Sequence, residues 1–289
     1  MEQIAVKRNV IRRKSLEPKS GADHEAEPRD GGVQSVDRAL SIIETLAEDD
    51  EGYRLSDLAV RTGLSTSTVH RLLTTLEKRR FVHFDRTESK WHVGAQSFSV
   101  GATFARRLNF TAQAMPYLRK LRDQTRETAN LAVVDDESII VLTRVESREI
   151  MRSLTKVGGR VAMVASGVGK AVLATYSDED VNAIICQQGM PRLTEKSIVR
   201  PGEFFKELEA IRRHGYAIDN EEARMGLRCI AAVVYNDCSE PLAAISVSGM
   251  TSRITDERLP VLGCIVRSVA AELTVVLGGV MPPVAETVR

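Results

Sequence analysis

The chain has 289 residues, with 40 Lys and Arg against 39 Asp and Glu and a formal net charge of +1. That length accommodates two ordinary domains with separate apolar cores, and the charge balance provides no global basic field, so any nucleic-acid signal must be local. The longest apolar runs, such as Ile139–Leu142 and Ile230–Val234, fall far short of the roughly 20 residues that span a bilayer, and no apolar segment follows the basic residues Lys7, Arg8, Arg12, Arg13, Lys14 and Lys19, so no membrane partner and a cytoplasmic chain are expected.

In chain order, residues 1–32 are charged and rich in Pro and Gly, the composition of a disordered basic arm. Val36, Ala39, Leu40, Ile43 and Leu46 recur at three- and four-residue spacing and predict a helix that ends before the acidic run Glu48–Glu51. Ser56 is expected to cap a short second helix that Gly63 terminates, and Ser65 opens a third with an apolar stripe of Val69, Leu72, Leu73 and Leu76. A turn of about four residues containing Gly between two short helices is helix-turn-helix spacing. Two β-prone runs, Phe81–Phe84 and Lys90–Val93, flank a polar turn and make a candidate wing, closing a domain over 33–94. A helix over 95–110 follows as a linker able to pair with its copy.

Residues 111–279 alternate in period, with helices expected at Thr111–Arg126, Gly169–Tyr176, Asp178–Gln188, Glu203–His214 and Asp256–Leu277. Strands are expected at Ala129–Val134, Ser138–Arg144, Ile230–Tyr235 and Leu242–Val247. This predicts an α+β domain around a largely antiparallel sheet, with 280–289 as a flexible tail. Cys186, Cys229, Cys238 and Cys264 are widely spaced, with no C-x-x-C pair or nearby His cluster, so neither structural zinc, a disulfide framework nor any cofactor is expected.

With its apolar stripe buried, the third helix turns Thr66, Ser67, Thr68, His70 and Arg71 outward. Hydroxyls and a guanidinium near a helix start suit phosphates and base edges, and Arg71 is the foremost candidate contact. Ser65 at the helix start and Arg86 and Lys90 of the hairpin complete the candidate DNA-binding set. From Arg61 to Lys90 the chain is locally basic, while the acidic residues gather in the first helix and the loop after it. A three-helix module that binds protein would show the same spacing.

In the C-terminal half, Ser246 and Ser248 lie two apart on one strand and so share a sheet face, with Ile245 and Val247 on the other. The segment Ala165–Lys170 leads a glycine-flanked helix whose amides at Gly167 and Val168 could receive a carboxylate. Asp219 would repel an anion unless it is protonated or accepts a hydrogen bond, which favours hydroxy- or oxo-acids. Small polar residues satisfied by core neighbours fit this pattern as well. An enzyme using Cys229 as nucleophile is disfavoured, because the only histidine of that half, His214, has no triad-like spacing.

Gln34–Leu40, Leu64–Leu73, and above all Gly226–Ala232 with Ser246–Gly249, resemble the IclR family of bacterial regulators over nearly all of Val33 to Gly279. The resemblance implies a winged helix-turn-helix, a linker helix and a GAF-like effector-binding domain, homodimers or homotetramers, and palindromic operator DNA. The C-terminal half looks similar to the subgroup that senses glyoxylate and pyruvate. Carried over by position, its small-molecule carboxylate effector would meet Ile150, Ser153, Val161, Gly167, Val168, Asp219, Cys229, Ser246 and Ser248. Ser153 departs from that subgroup, which has a larger apolar side chain there, and Val233 replaces a proline common in the signature.

Overall fold

The structure is a computed structural model that describes residues 32–107, 110–135, 138–147 and 156–282. Two compact units divide between Ser97 and Phe98. The first holds helices α1 (Gln34–Ala47), α2 (Leu55–Thr62) and α3 (Thr66–Lys78), then strands β1 (Val82–Asp85) and β2 (Lys90–Val93); α4 (Ala95–Arg107) begins at its end.

Ile42 and Leu46 of α1, Leu58 of α2, and Val69 and Leu73 of α3 meet Val82 and Trp91 of the hairpin in one apolar core. Gly63, at φ +65°, ends α2 where a left-handed residue is needed, and the Ser65 hydroxyl accepts the Thr68 amide at 3.3 Å to start α3. The hairpin is antiparallel, with Val82 opposite Val93 and Asp85 opposite Lys90, and Tyr53 bridges to Trp91 beside it. Gly94 is required there: a Cβ would lie 2.4 Å from the Arg80 carbonyl oxygen. The expected Ser56 cap is corrected, since α2 starts at Leu55, its first amide bonds go to the Arg54 carbonyl, and the Ser56 hydroxyl pairs with Asp57 at 3.3 Å.

The second unit is built on a six-stranded antiparallel sheet of β3 (Thr128–Asp135), β4 (Ser138–Val145), β5 (Arg160–Ala162), β6 (Ala217–Asn220), β7 (Leu227–Tyr235) and β8 (Pro241–Met250), in the order β5-β4-β3-β8-β7-β6. Helices α5 (Thr111–Thr125) and α9 (Leu259–Val276) cover one face, and α6 (Gly167–Leu173), α7 (Asp178–Gln188) and α8 (Pro201–His214) the other. The two-residue alternation of β7 explains the layers: Ala231 and Val233 point to α6–α8, Ile230, Ala232 and Val234 to α5 and α9. The fold is the expected α+β arrangement, with several boundaries revised. Helix α6 begins at Gly167 and ends at Leu173, and a 3-10 turn (Asp256–Arg258) precedes α9.

The strands β5 and β6 went unread in the sequence, being three and four residues long and stabilised by pairing with β4 and β7. The stretch Asp256–Val276 is, by length and composition, apolar enough to cross a membrane, unlike the shorter runs considered from sequence. Its Leu262, Val266, Val269 and Leu273 are core residues against the sheet.

Candidate functional site

The first candidate surface lies on α3. Thr66, Ser67, His70 and Arg71 are exposed, while Thr68 is half-buried, its hydroxyl 2.9 Å from that of Ser65. The Ser65 oxygen is thus engaged in capping α3. Arg86 is exposed in the hairpin turn, and Lys90 pairs with Glu88 at 3.3 Å. In the same turn Asp85 accepts the Thr87 and Glu88 amides, which hold its carboxyl below the usual value.

A groove of about 540 Å³ between α1 and α3 is lined by Ser35, Arg38, Thr68, His70, Arg71, Leu72, Thr74 and Thr75. Neither Arg38 nor Arg71 has an ion-pair partner among the described residues, and no carboxylate lines the groove. Sequence reading missed Ser35 and Arg38, although Arg38 lies one helical turn before the buried Ile42.

The second candidate site is on the sheet face beneath α6. Strand pairing places Asp219 opposite Cys229, Cys229 opposite Ser248, and Ser248 opposite Thr128, so four adjacent strands carry one polar row. Ser246 stands on the same face opposite Asn130. The Asn130 amide Nδ2 donates to Ser246 Oγ at 3.4 Å and Ser248 Oγ at 3.3 Å. The first residue of α6 closes on this row: a Cβ at Gly167 would be 3.3 Å from Cys229 Sγ and 3.4 Å from the Asp219 amide. Ser166 Oγ takes the Gly169 amide at 3.1 Å, so the helix start is partly self-capped, with Gly167 and Val168 ahead of that cap.

The structure therefore gathers Gly167, Asp219, Cys229, Ser246 and Ser248. The Val168 side chain packs into the core, and Val161 sits on β5, at the sheet edge opposite β6. Ile150 and Ser153 lie outside the described residues.

Electrostatics sharpen this site. Asp219 is buried, and its Oδ1 accepts the Glu222 amide at 2.7 Å and the Ala223 amide at 3.2 Å. Burial first, and the charge of Glu222 second, raise its pKa to about 6 against the pull of those amides and Lys170. Burial and Asp219 push the Cys229 thiol up to about 11, so at neutral pH it is a neutral thiol rather than a nucleophile.

Lys170, met in the sequence only as the end of the segment Ala165–Lys170, is fully buried between Glu222 at 2.5 Å and Glu207 at 3.0 Å. The other Glu222 oxygen, Oε2, is buried without a hydrogen-bond partner among the described residues. Nothing in its sequence context separates a buried lysine from a surface one, but the run Asp219–Glu222 was a signal that a cation would be needed nearby.

A helix-turn-helix with an exposed third helix, followed by a layered sheet domain carrying a buried polar row, defines a two-module DNA-binding regulator. Residues 35–86 match the IclR helix-turn-helix domain and residues 102–275 match the bacterial transcriptional regulator IclR C-terminal family. The chain belongs to the IclR family; it is a DNA-binding transcriptional regulator and not an enzyme.

It is 41% identical over 254 residues to the acetate operon repressor of Salmonella typhimurium strain LT2, covering 87% of this chain and 93% of that one. Against the transcriptional repressor IclR of Escherichia coli K12 the identity is 40%, with the same coverage. Among solved structures, an IclR homologue from Microbacterium hydrocarbonoxydans complexed with 4-hydroxybenzoate shares the fold, with a TM-score of 0.71 at 22% identity over 84% of this chain and 99% of that one.

Proposed function

We propose that this regulator is a repressor whose hold on operator DNA is controlled by a small carboxylic acid, an oxo- or hydroxy-acid, bound on the polar row beneath α6. The observation that carries the reading is the convergence of Gly167, Asp219, Cys229, Ser246 and Ser248 on one buried face. A helix-start amide and two hydroxyls supply donors for carboxylate oxygens, and a carboxyl whose pKa is raised to about 6 takes up a proton more readily than an ordinary aspartate when an anion binds beside it. The repressor names of the Salmonella and Escherichia relatives support the direction of control, and the 4-hydroxybenzoate of the Microbacterium homologue is likewise a carboxylic acid.

DNA is met by Thr66, Ser67, Thr68, His70 and Arg71 of α3, with Ser65 at its start and Arg86 and Lys90 from the hairpin. The groove lined by Ser35 and Arg38 extends that face onto α1. We assign 33–94 to DNA binding, 95–110 to the linker and 111–279 to effector binding, flanked by an arm over 1–32 and a tail over 280–289. The protein acts in the cytoplasm as a homodimer or homotetramer, whose arrangement the effector biases.

The test begins with a duplex selected by the protein from a random DNA pool. Its affinity is then measured at fixed salt while glyoxylate, pyruvate and 4-hydroxybenzoate are titrated. At least one acid is expected to weaken binding about tenfold or more, the low end of ordinary coupling between sites. Unchanged affinity with all three would refute control by such acids.

A further inference from the structure

Asn130 sits on β3, two strands from Cys229 and more than a hundred residues from either serine in the chain, yet its amide reaches both Ser246 and Ser248. It is 7% exposed, and a buried amide is kept only where its hydrogen bonds are needed. The atom facing the serines is the nitrogen, which has two hydrogens and no lone pair to offer, so each serine oxygen serves as acceptor toward Asn130. A hydroxyl whose oxygen already accepts has its one proton left to give. Both hydroxyls lie within hydrogen-bond reach of the Cys229 sulfur, a weak acceptor, so a ligand oxygen is the better recipient of those protons and would take them from it. Lys170, the cation whose field reaches Asp219 and Cys229, is committed to Glu207 and Glu222 and does not supply that recognition directly.

We propose that Asn130 is a positioning residue that biases the hydrogen-bond polarity of Ser246 and Ser248, occupying one lone pair of each oxygen so that both hydroxyls present their protons and the site favours a ligand group that accepts, a carboxylate. This rests on the reading of the polar row as the effector site, and it adds the reason for the site's preference. With the amide reversed, the serine protons would point at Asn130 and the site would offer lone pairs, favouring a ligand that donates. The arrangement thus selects a carboxylate over the amide of the same shape, and does so through a residue that need not touch the ligand.

The experiment compares pyruvate with pyruvamide, matched in size and differing in charge and in whether the end group can donate. Affinities are measured by calorimetry on the full-length protein and its variants, with thermal melting recorded alongside. Wild type is expected to prefer pyruvate by about tenfold or more, the difference a charge-assisted hydrogen bond makes over a neutral one. Asn130→Asp, whose oxygens accept the serine protons, should reverse that preference. Asn130→Ala, which frees both hydroxyls to rotate, should bring the ratio of the two affinities toward one.

A residue that merely fills space would lower both affinities by the same factor. Equal losses in Asn130→Ala, with the wild-type ratio retained, would overturn the proposal while Ser246→Ala and Ser248→Ala variants still report on the site itself. If wild type binds neither compound this inference fails, while the site's assignment to such acids falls only if glyoxylate and 4-hydroxybenzoate are without effect as well.

Discussion

Asp219 couples the chemistry of the site to the stability of the fold. Its folded pKa of about 6 lies above the ordinary 3.8, so protonation favours the folded state. The stability it contributes is full below about pH 4 and is lost as pH rises through about 6, leaving at neutral pH a buried carboxylate that costs up to about 3 kcal/mol. Asp219→Asn keeps an oxygen for the Glu222 and Ala223 amides and removes that charge. It is expected to raise the melting temperature at neutral pH and to leave it unchanged below about pH 4, where Asp219 is protonated in the folded and unfolded states alike. A melting difference independent of pH would show that charge is not the cause.

Glu222 is the second lever on the same residue. Glu222→Gln removes the like charge and leaves Lys170 less neutralised, and both changes lower the Asp219 pKa. Affinity for pyruvate, expected to fall in wild type as pH rises through about 6, should fall at lower pH in this variant. Profiles that superimpose would dissociate Glu222 from effector binding.

At the scale of elements, what sequence reading could reach depends on how local each determinant is. The helix-turn-helix was legible because the stripe of Val69, Leu72, Leu73 and Leu76, the turn at Gly63 and the cap at Ser65 are all decided within a few residues. Ser56 misled because a serine near a helix start has two local partners, and here the neighbouring Asp57 is the one it takes. On β8, alternation was enough to put Ser246 and Ser248 on one face, where the sheet has them. Asn130 was beyond reach, because which strand lies beside β8 depends on pairing across more than a hundred residues.

The groove between α1 and α3 is likewise a product of packing, and it makes a quantitative claim on Arg38. If this cation meets a DNA phosphate, Arg38→Ala should weaken binding to the selected duplex and to unrelated duplexes alike. The slope of log affinity against log salt should lessen by about one, and Arg38→Lys should retain most of it. An unaltered slope in Arg38→Ala would confine the DNA face to α3 and the hairpin.

For the whole molecule, the apolar surface that a single chain leaves in water is the feature to explain. On α1, Val33, Val36 and Leu40 recur at three and four residues on a face turned away from Ile42 and Leu46, and Leu40 is 53% exposed. On α4, Phe98 is 78% and Phe104 42% exposed. Each phenylalanine returned to cover would contribute about 1.5–3 kcal/mol, enough together to drive self-association. The homodimer proposed above would supply that cover, because one recognition helix reads too few base pairs to select a site, whereas a twofold dimer reads two half-sites of a palindrome.

Replacing Phe98 and Phe104 together by Ser is therefore expected to raise the dimer dissociation constant about 100-fold or more in sedimentation experiments, and to weaken DNA binding most at low protein concentration. Val275 and Val276 are exposed at the far end of α9, so the pair Val275→Ser and Val276→Ser should spare the dimer and lower any tetramer. Dimers that survive the double phenylalanine replacement would move the twofold contact to another surface and leave the exposed faces of α1 and α4 without a partner of their own kind.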